Sequence, residues 1–207
     1  MGFPLDFATP AEWVGRVERE PLALLADHAH CELKAAASAH ALIAKNADVV
    51  DLVRALADVA IEEMEHFRTV LDELESRGGA LGEQTENPYA AALHRESAAT
   101  RTSLVLDRLV LAHLIEARSL ERFHLLSEHA SDERLRALYA ELLPSEAAHQ
   151  GLYARFARRI FGREVADARI AALRSLEGRI VASLPFTFTM HGGAGAPVSV
   201  ATGSGQP

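Results

Sequence analysis

The chain has 207 residues, of which 49% are hydrophobic and 24% charged, so it can bury a substantial core and is not disordered as a whole. Its formal net charge of −8 excludes a nucleic-acid partner recognised through overall positive charge. One cysteine, Cys31, excludes an intramolecular disulfide and a cysteine-based zinc site, and no apolar run approaches a membrane span, so we expect a soluble cytoplasmic protein.

Helix-breaking residues occur in clusters, and the long segments between them predict an all-α protein. A capping box at Thr9, with Pro10 in the first helical position, predicts a short first helix. A shorter helix is expected from Pro88 to about residue 99, after a loop over 78–87, and a last helix over about 165–183. The four longest helices are predicted over residues 21–45, 48–77, 103–129 and 132–161.

The connections between the four long helices predict a four-helix bundle. Short turns join the first helix to the second and the third to the fourth, which is typical of antiparallel hairpins. The link between the second and third is about 25 residues long, as a crossover connection requires. We expect residues 1–191 to form a single domain with extra N- and C-terminal helices. Residues 192–207 are low in complexity and are expected to form a mobile tail.

Each long helix carries ionisable residues in the middle of an otherwise apolar stripe. The first and third helices each contribute one glutamate, and the second and fourth each contribute a Glu-x-x-His motif. Burying a carboxylate is costly unless it is paired, protonated or bound to a metal. The apolar residues on the same stripes argue against a solvated surface pattern. The six residues are Glu32, Glu63, His66, Glu116, Glu146 and His149.

Helix length places the four glutamates at matching depths. Glu32 lies 14 residues before Asn46 and Glu63 lies 15 after Asp48, so both are roughly 21 to 23 Å from their turn at ~1.5 Å per residue. Glu116 and Glu146 lie at the same distances from the turn between the third and fourth long helices. Carboxylate and imidazole ligands suit iron or manganese. Two hairpins, each with one Glu and one Glu-x-x-His, therefore predict a ferritin-like bundle with a dimetal centre.

Two further histidines are candidates for supporting roles. His113 precedes Glu116, and His28 precedes Glu32, by about one helical turn. Each is expected to orient its neighbouring carboxylate, or alternatively to be a core histidine with other partners. Glu62 competes with Glu63 for the inward position, but only Glu63 has a histidine three residues later, so Glu62 is expected on a solvated flank.

Residues 114–123, LIEARSLERF, resemble the IEARSxERF signature of the tRNA 2-methylthio-N6-isopentenyladenosine hydroxylase (MiaE-like) family of ferritin-like di-iron proteins. Residues 27–36 resemble the first-ligand segment of that family, and residues 62–67 and 145–149 its two Glu-x-x-His segments. The resemblance covers about residues 20–192. Leu120 stands where the family commonly has Cys, and Gly192 where it usually has Ser.

The resemblance implies a non-haem di-iron monooxygenase that hydroxylates the isopentenyl group on the adenosine beside the tRNA anticodon. It implies two iron ions (Fe2+/Fe3+), O2 as co-substrate, and an external electron donor such as a ferredoxin with its reductase. Iron oxidation and storage, and peroxide reduction, are the alternative functions for such a bundle. By ligand matching, the irons would be held by Glu32, Glu63, His66, Glu116, Glu146 and His149.

Positive charge is concentrated near the C-terminal end of the chain. Residues 151–207 carry seven arginines against three carboxylates, whereas the preceding residues are acidic overall. A local phosphate-binding patch for the anticodon loop is one interpretation, and a solvated helix face is the other. We expect a monomer or small oligomer with no membrane association. The candidate tRNA contacts are Arg155, Arg158, Arg159 and Arg163.

Overall fold

The structure, a computed structural model, describes residues 3–194. Seven α-helices lie in this range, and the one β pairing within it is an isolated bridge between Phe186 and Gly193. None of these helices combines the length and the apolar character that crossing a membrane requires. The helices are α1 (Glu12–Val17), α2 (Pro21–Lys45), α3 (Val50–Ser76), α4 (Pro88–Ser97), α5 (Leu104–His129), α6 (Glu133–Phe161) and α7 (Arg163–Ser183).

Side-chain caps explain why three of these helices begin where the sequence predicts. The Asn87 side chain accepts a hydrogen bond from the Ala90 amide at 3.1 Å, and Asp132 accepts one from the Arg134 amide at 2.9 Å. The Ser103 hydroxyl accepts from the third residue of α5 in the same way. The predicted starts of these three helices are therefore confirmed. Gly162 ends α6 with φ of +84°, a conformation that other residues rarely adopt.

The predicted capping box at Thr9 is wrong. Helix α1 begins at Glu12 and has no side-chain cap. The backbone N–H of Thr9 donates to Glu121 at 2.9 Å and its hydroxyl donates to the same carboxylate at 2.7 Å. Glu121 is buried and needs donors, because an unsatisfied buried carboxylate costs more than an uncapped surface helix.

The four long helices form the predicted bundle with its long crossover. Helix α2 packs against α3 and α5 against α6, and contacts of α3 with α6 and α2 with α5 close the bundle. Two apolar clusters fill the interior. One includes Leu52, Leu56 and Leu109, and the other includes Leu25 and Leu135. The ionisable residues lie between these clusters, at the mid-height of the bundle.

The segment after α7 packs back onto the bundle. Arg122 of α5 donates to the carbonyls of Met190 and Gly192, and Asp27 accepts a hydrogen bond from the Met190 amide at 2.7 Å. A Cβ on Gly193 would lie 1.8 Å from the Leu184 carbonyl oxygen, so this approach requires a glycine. Residues 192–194 are buried, which extends the packed region three residues past the predicted boundary at 191. The remainder of the predicted tail, 195–207, lies outside the described residues.

Candidate metal centre

The six residues of the apolar stripes meet in the middle of the bundle, and all six are buried. Their donor atoms form two groups of four, and within each group the atoms lie within 4.8 Å of one another. Glu63 and Glu146 belong to both groups. The arrangement is therefore that of two adjoining sites with two shared carboxylates. The first group is Glu32, Glu63, His66 and Glu146, and the second is Glu63, Glu116, Glu146 and His149.

Both histidines turn Nδ1 toward the carboxylates. His66 Nδ1 lies 3.6 Å from Glu63 Oε2, 3.6 Å from Glu146 Oε1 and 3.8 Å from Glu32 Oε2. His149 Nδ1 lies 3.0 Å from Glu63 Oε1. An Nδ1 in this position is the ring atom available to a metal ion, provided that the other ring nitrogen carries the proton.

The outward nitrogens have partners that fix this orientation. His149 Nε2 lies 2.7 Å from Glu62 Oε2, and His66 Nε2 lies 3.0 Å from Ser145 Oγ. The Ser145 hydroxyl itself donates to the Leu142 carbonyl, so it is free to accept from the imidazole N–H. With a metal ion bound, each imidazole would donate from Nε2 and present an unprotonated Nδ1 to the ion.

Sequence reasoning missed the roles of Glu62 and Ser145. Glu62 was expected on a solvated flank, and its side chain is indeed 48% exposed, yet its carboxylate contacts His149. The repeat in the sequence contained the signal. Glu62 and Ser145 each precede the glutamate of a Glu-x-x-His motif, and each contacts the histidine of the other motif. The antiparallel pairing of two equivalent helices imposes this reciprocal contact.

The two supporting histidines behave differently. His28 Nε2 lies 2.5 Å from Glu32 Oε1, and its ring stacks on Tyr139 with centroids 5.4 Å apart. His113 does not contact Glu116. Its Nδ1 lies 2.9 Å from the Gln150 carbonyl oxygen, because a buried imidazole satisfies its N–H with the nearest acceptor. The expectation that His113 orients Glu116 is therefore not met, and the alternative interpretation describes its position.

Mutual repulsion shifts the pKa values of the carboxylates. Burial, followed by the negative charges of Glu116 and Glu32, raises the pKa of Glu63 to about 8. Burial likewise raises the pKa of Glu116, and burial with the neighbouring carboxylates raises that of Glu146 well above its ordinary value. Burial opposes ionisation of Glu32 as well, but the adjacent His28 outweighs it and lowers the pKa.

The pKa values of the two imidazoles are raised, whereas burial alone lowers the pKa of a histidine. Burial by itself would lower the pKa of His66, but the nearby carboxylates of Glu32 and Glu63 raise it to about 10. Burial also acts to lower the pKa of His149, but Glu63, Glu116 and Glu62 raise it to about 9. Without a metal ion, the centre therefore retains protons to offset its negative charge.

The donor set fits divalent iron or manganese. Four buried atoms of the six candidate ligands have no hydrogen-bond partner among the described residues, and all four face the middle of the cluster: Glu63 Oε1, Glu146 Oε1, His66 Nδ1 and His149 Nδ1. Leaving such atoms unpaired is costly, and metal coordination removes that cost. Oxygen and imidazole ligands without thiolates are the combination that these ions accept.

A cavity of about 130 Å³ adjoins the centre and is lined by Glu116. Ala112, Ile115 and Tyr153 contribute apolar walls, and His191 of the C-terminal segment closes one side. The imidazole of His191 stacks on Tyr89 with centroids 5.1 Å apart. A small apolar group can therefore lie beside one carboxylate of the centre without entering the bundle core.

The four candidate tRNA-contacting arginines lie apart from this cavity, at the end of α6 and the start of α7. Arg158 Nε lies 2.6 Å from Asp167 Oδ1, and an Arg159 guanidinium nitrogen lies 2.7 Å from Asp51 Oδ2. Arg155 and Arg163 are exposed. None of the four lines the cavity.

Comparisons with known proteins agree over nearly the whole chain. The profile of the tRNA-(MS[2]IO[6]A)-hydroxylase (MiaE) family matches residues 3–192. A Pseudomonas putida protein named tRNA 2-(methylsulfanyl)-N(6)-isopentenyladenosine(37) hydroxylase is 37% identical, covering 91% of this chain and 92% of its own. A Salmonella typhimurium protein of the same name is 26% identical, covering 93% and 88%. The solved structure of "Protein 43 with aldehyde deformylating oxygenase activity from Synechococcus" is 36% identical, with a TM-score of 0.85, covering 94% and 98%.

Proposed function

The chain belongs to the tRNA-(MS[2]IO[6]A)-hydroxylase family, and on that premise we propose that it hydroxylates the isopentenyl group of 2-methylthio-N6-isopentenyladenosine beside the tRNA anticodon. The proposal rests on two features of the structure that lie next to each other. A cluster of six metal-binding side chains lies next to a small, largely apolar cavity that reaches Glu116. A protein that only stores iron has no need of an apolar cavity at its metal ligands, whereas an oxygenase acting on a prenyl group does.

The two groups of donor atoms support a pair of iron ions. Glu32 and His66 would hold one ion and Glu116 and His149 the other, with Glu63 and Glu146 within reach of both. When bound, the ions would supply the redox chemistry by which O2, two protons and two electrons from an external donor such as a ferredoxin and its reductase convert a C–H bond into C–OH and release water.

The chain's own side chains position the reacting groups. Ala112, Ile115 and Tyr153 would enclose the isopentenyl group and exclude water from it. Glu62 and Ser145 keep both imidazoles turned toward the centre. The cavity admits a small branched chain, while the rest of the anticodon arm must stay outside. We therefore expect the modified base to leave the loop stack and enter from the cavity mouth.

Nucleoside mass spectrometry tests this function. Iron-loaded protein, isopentenylated tRNA, O2 and a reductant are incubated, and the tRNA is then digested. We expect one added oxygen on the isopentenyladenosine. Glu116→Gln should give no product, whereas Glu128→Gln, the same change at an exposed position of the same helix, should leave the yield unchanged. Absence of product from wild-type protein with two bound, reduced irons would contradict the proposal.

Deformylation of an aldehyde is the second candidate, because the solved Synechococcus protein is named for that activity and its structure covers 94% of the chain. The same iron-loaded protein is incubated with a medium-chain aldehyde in place of tRNA. Release of formate, with no hydroxylated nucleoside in the parallel reaction, would favour this candidate. Oxidation of iron without any organic product would instead favour storage or peroxide chemistry.

A further inference from the structure

Basic residues from three different helices lie at the cavity or one helical turn from it. Lys34 of α2 and His94 of α4 both line it, and the Lys34 ammonium donates to the Thr85 carbonyl at 3.1 Å. Arg108 of α5 precedes Ala112, which lines the cavity, by one helical turn and so lies on the same face of the helix. Burial lowers the pKa of His94, and the positive charges of Arg108 and Arg101 lower it further.

Among the described residues, the charges of Lys34 and Arg108 are not neutralised by a carboxylate. In residues 3–194, neither Lys34 nor Arg108 forms an ion pair, and the remaining residues contain no Asp or Glu. Asp107, next to Arg108 in sequence, accepts hydrogen bonds from Nε and Nη2 of Arg169, each at 2.8 Å. The loop beside Lys34 also carries Glu83, which is exposed and forms no ion pair with Lys34.

The arginines of residues 151–207 present the opposite situation. Four of the seven are in ion pairs with aspartates, at distances of 2.6 to 2.8 Å. A phosphate must displace such a carboxylate, which reduces the gain from binding. The paired residues are Arg158, Arg159, Arg169 and Arg174.

We propose that the cavity mouth, formed by Lys34, His94 and Arg108, binds the anticodon-loop phosphates that flank the modified adenosine. This inference rests on the proposed function, because an isopentenyl group inside the cavity brings its flanking phosphates to the mouth. Unpaired cations release the condensed counterions of RNA when they bind it. On a chain with a net charge of −8, a local basic rim also directs which face of the protein meets the RNA.

A charge-matched set of double variants tests the location. The probe is an anticodon stem-loop RNA with the isopentenylated adenosine, titrated against iron-loaded protein by fluorescence anisotropy at several salt concentrations. Lys34→Gln with Arg108→Gln should weaken binding about tenfold or more at low salt. It should also reduce the slope of log K against log salt by about 1.4 to 1.8, for two lost single-strand or duplex phosphate contacts.

Two other pairs remove the same charge elsewhere. Arg155→Gln with Arg163→Gln tests the surface at the end of α6, and Arg54→Gln with Arg68→Gln removes exposed arginines from the outer face of α3. Both pairs should bind within about twofold of wild type. Unchanged thermal melting and iron content of all variants show that folding is preserved.

The outcomes separate this inference from the proposed function. Any one of three results would overturn the inference: wild-type affinity in the Lys34/Arg108 variant, weaker binding in the Arg155/Arg163 variant alone, or no RNA binding by the wild type. If hydroxylation occurs, the mouth variant should raise KM and retain kcat at saturating RNA. If wild type binds RNA through the mouth but yields no hydroxylated nucleoside, the proposed function fails and the binding surface stands.

Discussion

Two buried clusters of charge lie within this bundle, and only one of them is compensated by the protein. In the first cluster, here called the Arg118 network, Arg118 donates to Glu177 at 2.9 and 3.0 Å and also to Glu121. Thr9 donates to Glu121 as well, and the Tyr89 hydroxyl donates to Glu177 at 3.0 Å. In the metal centre, four carboxylates and two imidazoles face one another with four donor atoms unpaired.

The difference indicates what each cluster is for. The Arg118 network joins the N-terminal segment, α4, α5 and α7 through charges that are fully hydrogen-bonded, as a structural cluster must be. The candidate metal centre holds equally buried groups without protein partners, an arrangement that a bound cation would compensate. Charge burial alone does not identify a functional site, whereas buried charge left unpaired does.

Removal of a metal ligand should have the largest effect and should be confined to the centre. We expect Glu116→Ala or His149→Ala to abolish binding of two irons and to reduce product to background, while helicity stays largely intact. Each deletes one member of the second ligand group without disturbing the Arg118 network. Iron titration with circular dichroism measures both properties. Full loading with two irons in either variant would contradict the ligand assignment.

Disruption of the Arg118 network should have the opposite signature. Arg118→Met leaves Glu121 and Glu177 buried without their charged partner, which is expected to cost about 3–5 kcal/mol of unfolding free energy. Chemical denaturation of metal-free protein measures this loss. Arg95→Met is the matched control, because Arg95 is exposed and its ion pair with Glu96 is 3.4 Å long. Equal stability of the two variants would mean that the network is not structural.

The partner of His149 should matter less than a ligand. Glu62→Gln keeps a hydrogen-bond acceptor beside His149 Nε2 but removes its charge, so we expect iron affinity of the second site to fall by about tenfold, the low end of the effects typical of such partners. Glu65→Gln, an exposed neighbour on α3, should have no effect. If the iron affinity of Glu62→Gln is unchanged, then a neutral hydrogen-bond partner, such as Ser145 is for His66, suffices for both imidazoles.

These contrasts also show what the sequence could and could not predict. The meeting of the six candidate ligands was predictable because helical periodicity places each interrupted apolar stripe on one face of its helix, and the repeated spacing places the interruptions at the same depth. The Arg118 network was not predictable in this way. Thr9 is 112 residues from Glu121, and Arg118 is 59 residues from Glu177, so no local pattern links them. A buried Glu121 drew Thr9 away from the capping role that its local sequence favoured.

The smallest expected effect is on the pH dependence of metal-free stability. The pKa of Glu63 is raised from 4.5 to about 8, so folding favours its protonated form, and the stability from this group is lost as pH rises toward 8. His66 and His149 have pKa values raised from 6.5 to about 10 and 9, so their contribution is complete below 6.5 and is lost above it. All three groups therefore make the metal-free protein progressively less stable as the pH rises from about 5 to 10.

Melting temperatures measured from pH 5 to 10 test this sign. Metal-free Tm should fall by at least about 5 °C, since about 1 kcal/mol moves the Tm of a domain of this size by 2–4 °C. With iron bound, metal replaces these protons, so the decline should disappear and iron affinity should rise with pH. Glu63→Gln should flatten the metal-free curve below about pH 8, because the neutral amide has no proton to lose. A metal-free Tm that rises with pH would mean that the carboxylates of the centre do not repel one another as their positions require.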